Sequence, residues 1–263
     1  MASPPNPAAP IGGHLDSRAV SPAGIARRVT RHARSRGVAP VLADCASWAA
    51  RWVAGRPLTG RPVTATFTHD GVANSYLRSA YNYTWLNERA VEVPLAAAQL
   101  DAAERAGIQP ARILEVGNVL SHYRPAAHTV VDKYEKADGV HNVDVVDLDL
   151  TGPYDLILAV STLEHVGFDE EVQDPGKPAR AVARLASVLA PGGRLWCTFP
   201  VGYNPALDTR LRDGSLGFTR LTALRRTGRD NRWEEVPPAD VWGVQYDWLL
   251  YTAHAVIVAE LVG

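Results

Sequence analysis

The chain has 263 residues, with 27 Lys and Arg against 28 Asp and Glu, so its formal net charge of −1 gives no general pull toward nucleic acid or an anionic membrane. A hydrophobic share of 46% and a charged share of 21% are those of an ordinary globular protein long enough to bury a full core. Cys45 and Cys197 are the only cysteines, which excludes a disulfide framework or a cysteine metal cluster and points to a reduced, cytoplasmic protein. No apolar run approaches the roughly 20 residues of a membrane-spanning helix. A basic patch followed by an apolar stretch, the mark of a secretory signal, is also missing from the N-terminus.

In chain order, residues 1–24 are rich in Pro, Ala, Gly and Ser and read as a disordered tail. Residues 26–37, ARRVTRHARSRG, read as the solvated face of a short basic helix, and 41–54 as a second helix with Leu42, Ala46, Ala49 and Val53 on one face. PVTATFTHDG alternates apolar and polar residues like a half-buried strand, with His69, Asp70 and Gly71 as its turn. The aromatic stretch 76–94 follows. Pro94 suits the first turn of a helix over 95–106 that Gly107 stops.

Beyond this point strands and helices alternate. Strands are expected at 111–116, 128–132, 143–147, 154–161 and 194–200, and a helix at 178–190 ended by Pro191, Gly192 and Gly193. Two further strands fall at 221–227 and 253–262. Buried strands alternating with helices imply an α/β protein with a doubly wound, mostly parallel sheet. Its ligand site then lies beyond the carboxyl ends of the strands. Those ends carry Glu115, Gly117 and Asn118, then Asp132, then Asp147 and Asp149, then Ser161, Glu164 and His165, then Gly202 and Tyr203.

Taken together, ILEVG, VVDKYE, VDVVDLD, YDLILAVSTLEHV and LAPGGRLWCTFP resemble the successive motifs of the class I S-adenosylmethionine-dependent methyltransferases, over residues 111 to about 201. The resemblance implies a Rossmann-like, seven-stranded sheet closed by an antiparallel C-terminal strand, behind an N-terminal cap of helices and a hairpin. It divides the chain into a tail at 1–24, a cap and substrate-side segment at 25–110, and a cofactor-binding core at 111–263. S-adenosylmethionine is the implied cofactor, and Glu115, Gly117, Asn118, Asp132, Lys133, Asp147, Leu148 and Ser161 are its implied site. Asp132 would accept the ribose hydroxyls, and Asp147 with the Leu148 backbone would meet the adenine edge. Glu115 is expected to support the loop indirectly.

The chain departs from the family where acid-x-Gly-x-Gly-x-Gly becomes Glu115-Val116-Gly117-Asn118-Val119-Leu120-Ser121. Only 14 residues separate Gly117 from Asp132, so any helix between the first two strands is short. Adenosylmethionine carries no phosphate and needs no full glycine cradle, so Asn118 and Ser121 are candidates to replace the lost contacts. The alternative is a non-catalytic, methyltransferase-like binding or assembly module with a degenerate turn.

For methyl transfer to a neutral hydroxyl, His165 is the candidate base, with Glu164 beside it. Tyr81, Tyr83, Trp85, Tyr123, Tyr203 and Asn204 are the candidate acceptor-binding residues, suited to a hydroxylated small molecule such as a sugar or secondary metabolite. The expected partner is that small molecule, with no nucleic acid, no membrane and a homodimer as the assembly considered. No metal is expected, His141 with Asp144 being the only weak pair. P-loop, G-x-S-x-G and H-E-x-x-H motifs are absent, which argues against a nucleotide hydrolase, an α/β-hydrolase and a zinc protease. Arg225, Arg226, Arg229 and Arg232 surround an expected hairpin, where solvated charge is the simpler reading and a phosphate contact the sharper one.

Overall fold

The computed structural model describes residues 22–149 and 152–263. Residues 1–21 of the expected tail lie outside the described residues, and Pro22 already opens α1 (Pro22–Arg36). Gly37, at a φ of 90°, turns the chain into α2 (Val38–Gly55). Strands β1 (Thr66–His69) and β2 (Val72–Ser75) form an antiparallel hairpin. Its two-residue turn places Asp70 and Gly71 at φ values of 53° and 73°, the left-handed pair that an Asp-Gly turn favours.

Helix α3 (Arg89–Arg105) starts well before the expected residue 95 and carries Pro94 in its interior. A proline there deprives the carbonyl four residues back of its helical partner. That carbonyl belongs to Ala90, and the Leu77 N–H donates to it at 2.9 Å. The helix therefore continues through the proline because a neighbouring segment satisfies the freed group. At the other end the N–H groups of Gly107 and Ile108 donate to Glu104 and Ala103, a glycine-centred cap that stops the helix where expected.

Eight strands then form one sheet: β3 (Ile113–Val116), β4 (Thr129–Val131), β5 (Val140–His141), β6 (Tyr154–Val160), β7 (Leu189–Pro200), β8 (Arg220–Arg226), β9 (Trp233–Val236) and β10 (Ala255–Val262). Their order is β5-β4-β3-β6-β7-β10-β8-β9. The neighbours from β5 to β7 pair in parallel, while β10 runs antiparallel between β7 and β8. The expected mostly parallel sheet with an antiparallel C-terminal strand is present, with β9 added antiparallel at its edge.

Alternate residues of each strand serve opposite faces. Leu156 and Leu158 meet Val91, Leu95 and Leu100 of α3 on one face. On the other, Ile157 and Leu195 meet Val182 and Leu185 of α4 (Lys177–Ser187) and Leu207 of α5 (Pro205–Arg212). Burial of a side chain such as Leu185 contributes about 1.5–3 kcal/mol.

Two local expectations need correction. Residues 143–147 form no strand: the two-residue β5 ends at His141, and Val145–Asp147 make a 3-10 turn. Asp144 causes the change, because its side chain accepts the Val146 N–H at 3.3 Å and so favours a turn over a ladder. Pro191, Gly192 and Gly193 lie inside β7, at the irregularity where its pairing with β6 jumps between Tyr154 and Leu156. Between β3 and β4 the helix, expected to be short, is reduced to a 3-10 turn at Leu120–His122.

Candidate active site at the carboxyl end of the sheet

The chain runs outward from β3 to β4 and β5, then crosses back to β6 on the other side of β3. This reversal opens the crevice in which such sheets bind ligands, at the ends of β3 and β6. Gly117, at a φ of 85°, ends β3, and its N–H donates to Val131 at 2.8 Å. A side chain at this position would strike Thr162, whose Oγ1 would lie 2.2 Å from an added Cβ. Only glycine allows the ends of β3 and β6 to approach so closely.

The fully buried Glu115 carboxylate organises the turn from within. Its Oε1 accepts the N–H groups of Val119 and Leu120 at 2.9 and 2.7 Å, and its Oε2 lies 2.7 Å from His128 Nε2. Both oxygens are thereby occupied, which makes Glu115 a support of the loop. Asn118 donates from Nδ2 to Glu135 at 2.9 Å and accepts the Ser121 hydroxyl. These side chains hold the turn that the missing glycines would otherwise shape.

Asp132 stands at the end of β4. Its Oδ1 accepts the N–H groups of Tyr134 and Glu135 at 2.8 and 2.7 Å, and among the described residues its Oδ2 accepts only the Asn118 N–H, at 3.3 Å. A carboxylate offers about four acceptor positions, so Oδ2 can still take a ligand hydroxyl. Asp147 is exposed at the end of the 3-10 turn. Leu148 is buried, and its carbonyl accepts Arg184. Lys133 is committed elsewhere, with Nζ 2.8 Å from Asp144 and 3.1 Å from Glu170. Lys177 reaches the same two carboxylates at 2.6 Å each. Asp144 is thus held by two ammonium groups rather than paired with His141 for a metal.

Beneath the crevice lies a buried polar cluster in which the expected Ser161 meets Arg89 and Glu92, which were not among the expected site residues. Arg89, from the first turn of α3, donates to the Val160 carbonyl at 2.9 Å and to Glu92 at 3.3 Å. Glu92 in turn accepts the Ser161 hydroxyl at 2.5 Å, so Ser161 faces this cluster. Burial raises the Glu92 pKa although Arg89 opposes it. Two buried atoms here lack a hydrogen-bond partner among the described residues, Tyr123 Oη and Glu164 Oε2. Such orphans at a strand-end crevice fit a polar ligand.

His165 lies just past β6, between two acidic neighbours. Its Nδ1 lies 2.5 Å from Asp169 Oδ2, and the Tyr203 hydroxyl donates to the same oxygen at 2.6 Å. Glu164 Oε1 is 3.6 Å from the other ring nitrogen. Burial alone would lower the His165 pKa, but Glu164 and Asp169 outweigh it and raise it. Burial pushes the Glu164 carboxyl up to about 8. Asn204 caps α5 and donates to the Glu164 carbonyl at 3.0 Å. Tyr203 also packs against His165, Phe168, Tyr246 and Trp248 in an aromatic wall. Asp169, Tyr246 and Trp248 were not among the expected site residues, although the i, i+4 spacing of His165 and Asp169 and the aromatics of 242–251 were visible signals.

The raised Glu164 pKa has a measurable consequence. An unfolded glutamate ionises near 4.5, whereas the folded one keeps its proton to about 8. Folding stability therefore falls as pH rises between these values. Glu164→Gln removes this dependence, and its melting temperature is expected to exceed that of the parent increasingly from pH 5 to pH 8, by a margin equivalent to about 2–4 kcal/mol. Parallel melting curves of the two proteins across that range would contradict it.

The expected acceptor residues divide into two groups. Tyr81 stacks on His122 with ring centroids 4.1 Å apart and meets Tyr123 edge-on, so these three residues gather at the turn after β3. Tyr83 and Trp85 instead pack on α2. Tyr83 meets Trp52, and the Trp85 indole donates to the Arg51 carbonyl at 3.1 Å. These contacts lie on the seam between cap and sheet. Elsewhere His69, Asp70 and Glu235 converge within 4.8 Å, but Arg220 already pairs with Asp70.

No family model and no curated protein matches the chain. Among solved structures, the N-methyltransferase NodS of Bradyrhizobium japonicum, in complex with S-adenosylhomocysteine, is 13% identical and aligns over 67% of this chain and 93% of its own at a TM-score of 0.39. The 1,6-didemethyltoxoflavin N1-methyltransferase of Burkholderia thailandensis is 18% identical over 65% and 78% of the two chains, with a TM-score of 0.40. A possible exported protein of Bordetella parapertussis is 13% identical over 90% and 94%, with a TM-score of 0.41. It is the strand order and the strand-end residues, not these loose superpositions, that describe the fold. A mostly parallel doubly wound sheet, an antiparallel C-terminal strand inserted beside β7 and acidic strand ends around Gly117 make a class I methyltransferase fold.

Proposed function

We propose that the chain is an S-adenosylmethionine-dependent methyltransferase acting on a hydroxyl of a small polar molecule, a sugar or a secondary metabolite. The observation that carries this reading is the pairing of His165 with Asp169 and Tyr203 at the switch-point crevice. A histidine oriented by a carboxylate, with acidic strand ends beside it, suits proton removal from an acceptor hydroxyl. Asp132 Oδ2, the exposed Asp147 and the backbone at Gly117 are the groups that would hold the cofactor. Bound there, it would supply an electrophilic methyl group. Tyr203, Tyr246 and Trp248 form the apolar wall that limits water near the transfer. No described helix is long and apolar enough to cross a membrane, and the free thiols Cys45 and Cys197 suit a reducing, cytoplasmic setting.

A second reading has its own support. Asn118 and Lys133 spend their side chains on protein partners, and Thr162 packs against Gly117. That favours a methyltransferase-like binding module. Calorimetric titration with S-adenosylmethionine and S-adenosylhomocysteine, with NAD as control, separates the two. Micromolar binding of both sulfur ligands, weakened at least tenfold by Asp132→Ala, is expected of the enzyme. Absence of binding would leave the module.

A further inference from the structure

Away from the crevice, a cavity of about 300 Å³ opens between α2, the β8–β9 hairpin and the segment leading into β10. Because β8 runs with the parallel strands, Arg226 at its end lies at the same edge of the sheet as the strand-end site. Four guanidinium groups line the cavity, Arg36, Arg51, Arg226 and Arg229, against two carboxylates, Asp44 and Asp247. Those carboxylates are heavily used. Asp44 serves both Arg36, at 2.6 Å, and Arg229, at 3.2 Å. Asp247 Oδ1 accepts the N–H groups of Leu249 and Leu250 at 2.9 and 3.1 Å.

Arg51 and Arg226 have no ion-pair partner within 4.0 Å among the described residues. Arg51 donates to the carbonyls of Ser47 and Arg229. Arg226 donates to the Leu86 carbonyl at 2.7 Å and to the Thr252 hydroxyl at 3.1 Å, and its Nε is buried with no acceptor among the described residues. Burial and the nearby Arg51 pull the Arg226 pKa down to about 10, and burial followed by Arg226 lowers that of His254. A neutral His254 leaves the four arginines in excess. With Asp44 shared between two other arginines and Asp247 taken up by backbone N–H groups, two guanidinium groups lining one cavity have the makings of an anion receptor. Trp48 supplies a flat wall beside them.

We infer that this cavity binds the phosphate group of a soluble phosphorylated small molecule, with Arg51 and Arg226 as its principal ligands. Arg225 and Arg232, the other arginines of the hairpin, remain exposed and take no part. This inference stands independently of the methyltransferase reading.

The test is calorimetric titration of the full chain with sodium pyrophosphate and with inorganic phosphate, without S-adenosylmethionine, in low-chloride buffer. One-site binding is expected, weakened at least tenfold in Arg51→Gln and unchanged in Arg225→Gln. Arg226→Lys is measured alongside, and Arg229→Gln keeps the test open should either core variant fail to fold, as judged by circular dichroism; a severalfold loss is expected for both. Two results would overturn the inference: no saturable heat with either anion, or equal affinity in Arg51→Gln and Arg225→Gln. Retention on phosphatidylglycerol vesicles without binding of the soluble anions would overturn it as well, in favour of a lipid surface. An unaltered S-adenosylmethionine titration in Arg51→Gln would show the two sites to be separate.

Discussion

An Arg89→Met variant is expected to lose about 3–5 kcal/mol of folding stability, the usual cost of stripping one partner from a buried ion pair. Arg89 is the only cation within 4.0 Å of the fully buried Glu92 among the described residues, and it also satisfies the carbonyls of Val160 and Ser161. Without it the Glu92 carboxyl is driven further above its ordinary range than burial already takes it. A folded pKa raised above the unfolded one makes stability fall as pH rises, so the loss should be larger at pH 8 than at pH 5. Arg89→Met combined with Glu92→Gln is expected to recover much of the loss, since no unpaired charge then remains. Chemical denaturation of the three proteins at both pH values decides the matter. A single variant within 1 kcal/mol of the parent, or a double variant no better than the single one, would show that the pair carries little.

On the proposed reading, His165→Ala is expected to slow methyl transfer to a hydroxyl acceptor by a factor on the order of 10²–10⁴, the range for a positioned general base. Asp169→Asn should have a smaller effect on rate and a distinct effect on pH dependence. The base must be neutral to accept a proton, so the rate should climb with pH through the raised pKa of His165. Because Asp169 helps to raise that pKa, Asp169→Asn should move the rising limb to lower pH while lowering its plateau. A plain packing defect would lower the plateau and leave the limb in place. An imidazole titration followed by NMR gives the same shift without an acceptor, and an unmoved His165 resonance would remove Asp169 from the role of positioning residue.

Much of the fold was legible in local pattern. The apolar runs of β6 and β7 announce buried parallel strands, and Asp70-Gly71 announces a tight hairpin because few other pairs tolerate two left-handed residues. Gly117 after β3 and the acidic strand ends marked the crevice. The start of α3 was not legible, since the helix passes through Pro94 only because Leu77 takes the Ala90 carbonyl. The third strand was also misread. VDVVDLD alternates like a strand, but Asp144 spends its side chain on the Val146 N–H and on two lysines from distant elements.

By itself, then, the sequence determined the type and rough place of the strands, the hairpin, the helix stop at Gly107 and the chemical character of the strand ends. These depend on backbone preference and side-chain period, which act over a few residues. Tertiary structure alone decided which charged groups are spent and which remain available. Lys133 is consumed by Asp144 and Glu170, Glu115 by its own turn, and Asp132 keeps one oxygen partly open. Arg226 turns into a cavity while Arg225, its neighbour in the chain, faces solvent. Pairing and desolvation are set by residues brought together through strand order, and no local pattern encodes them.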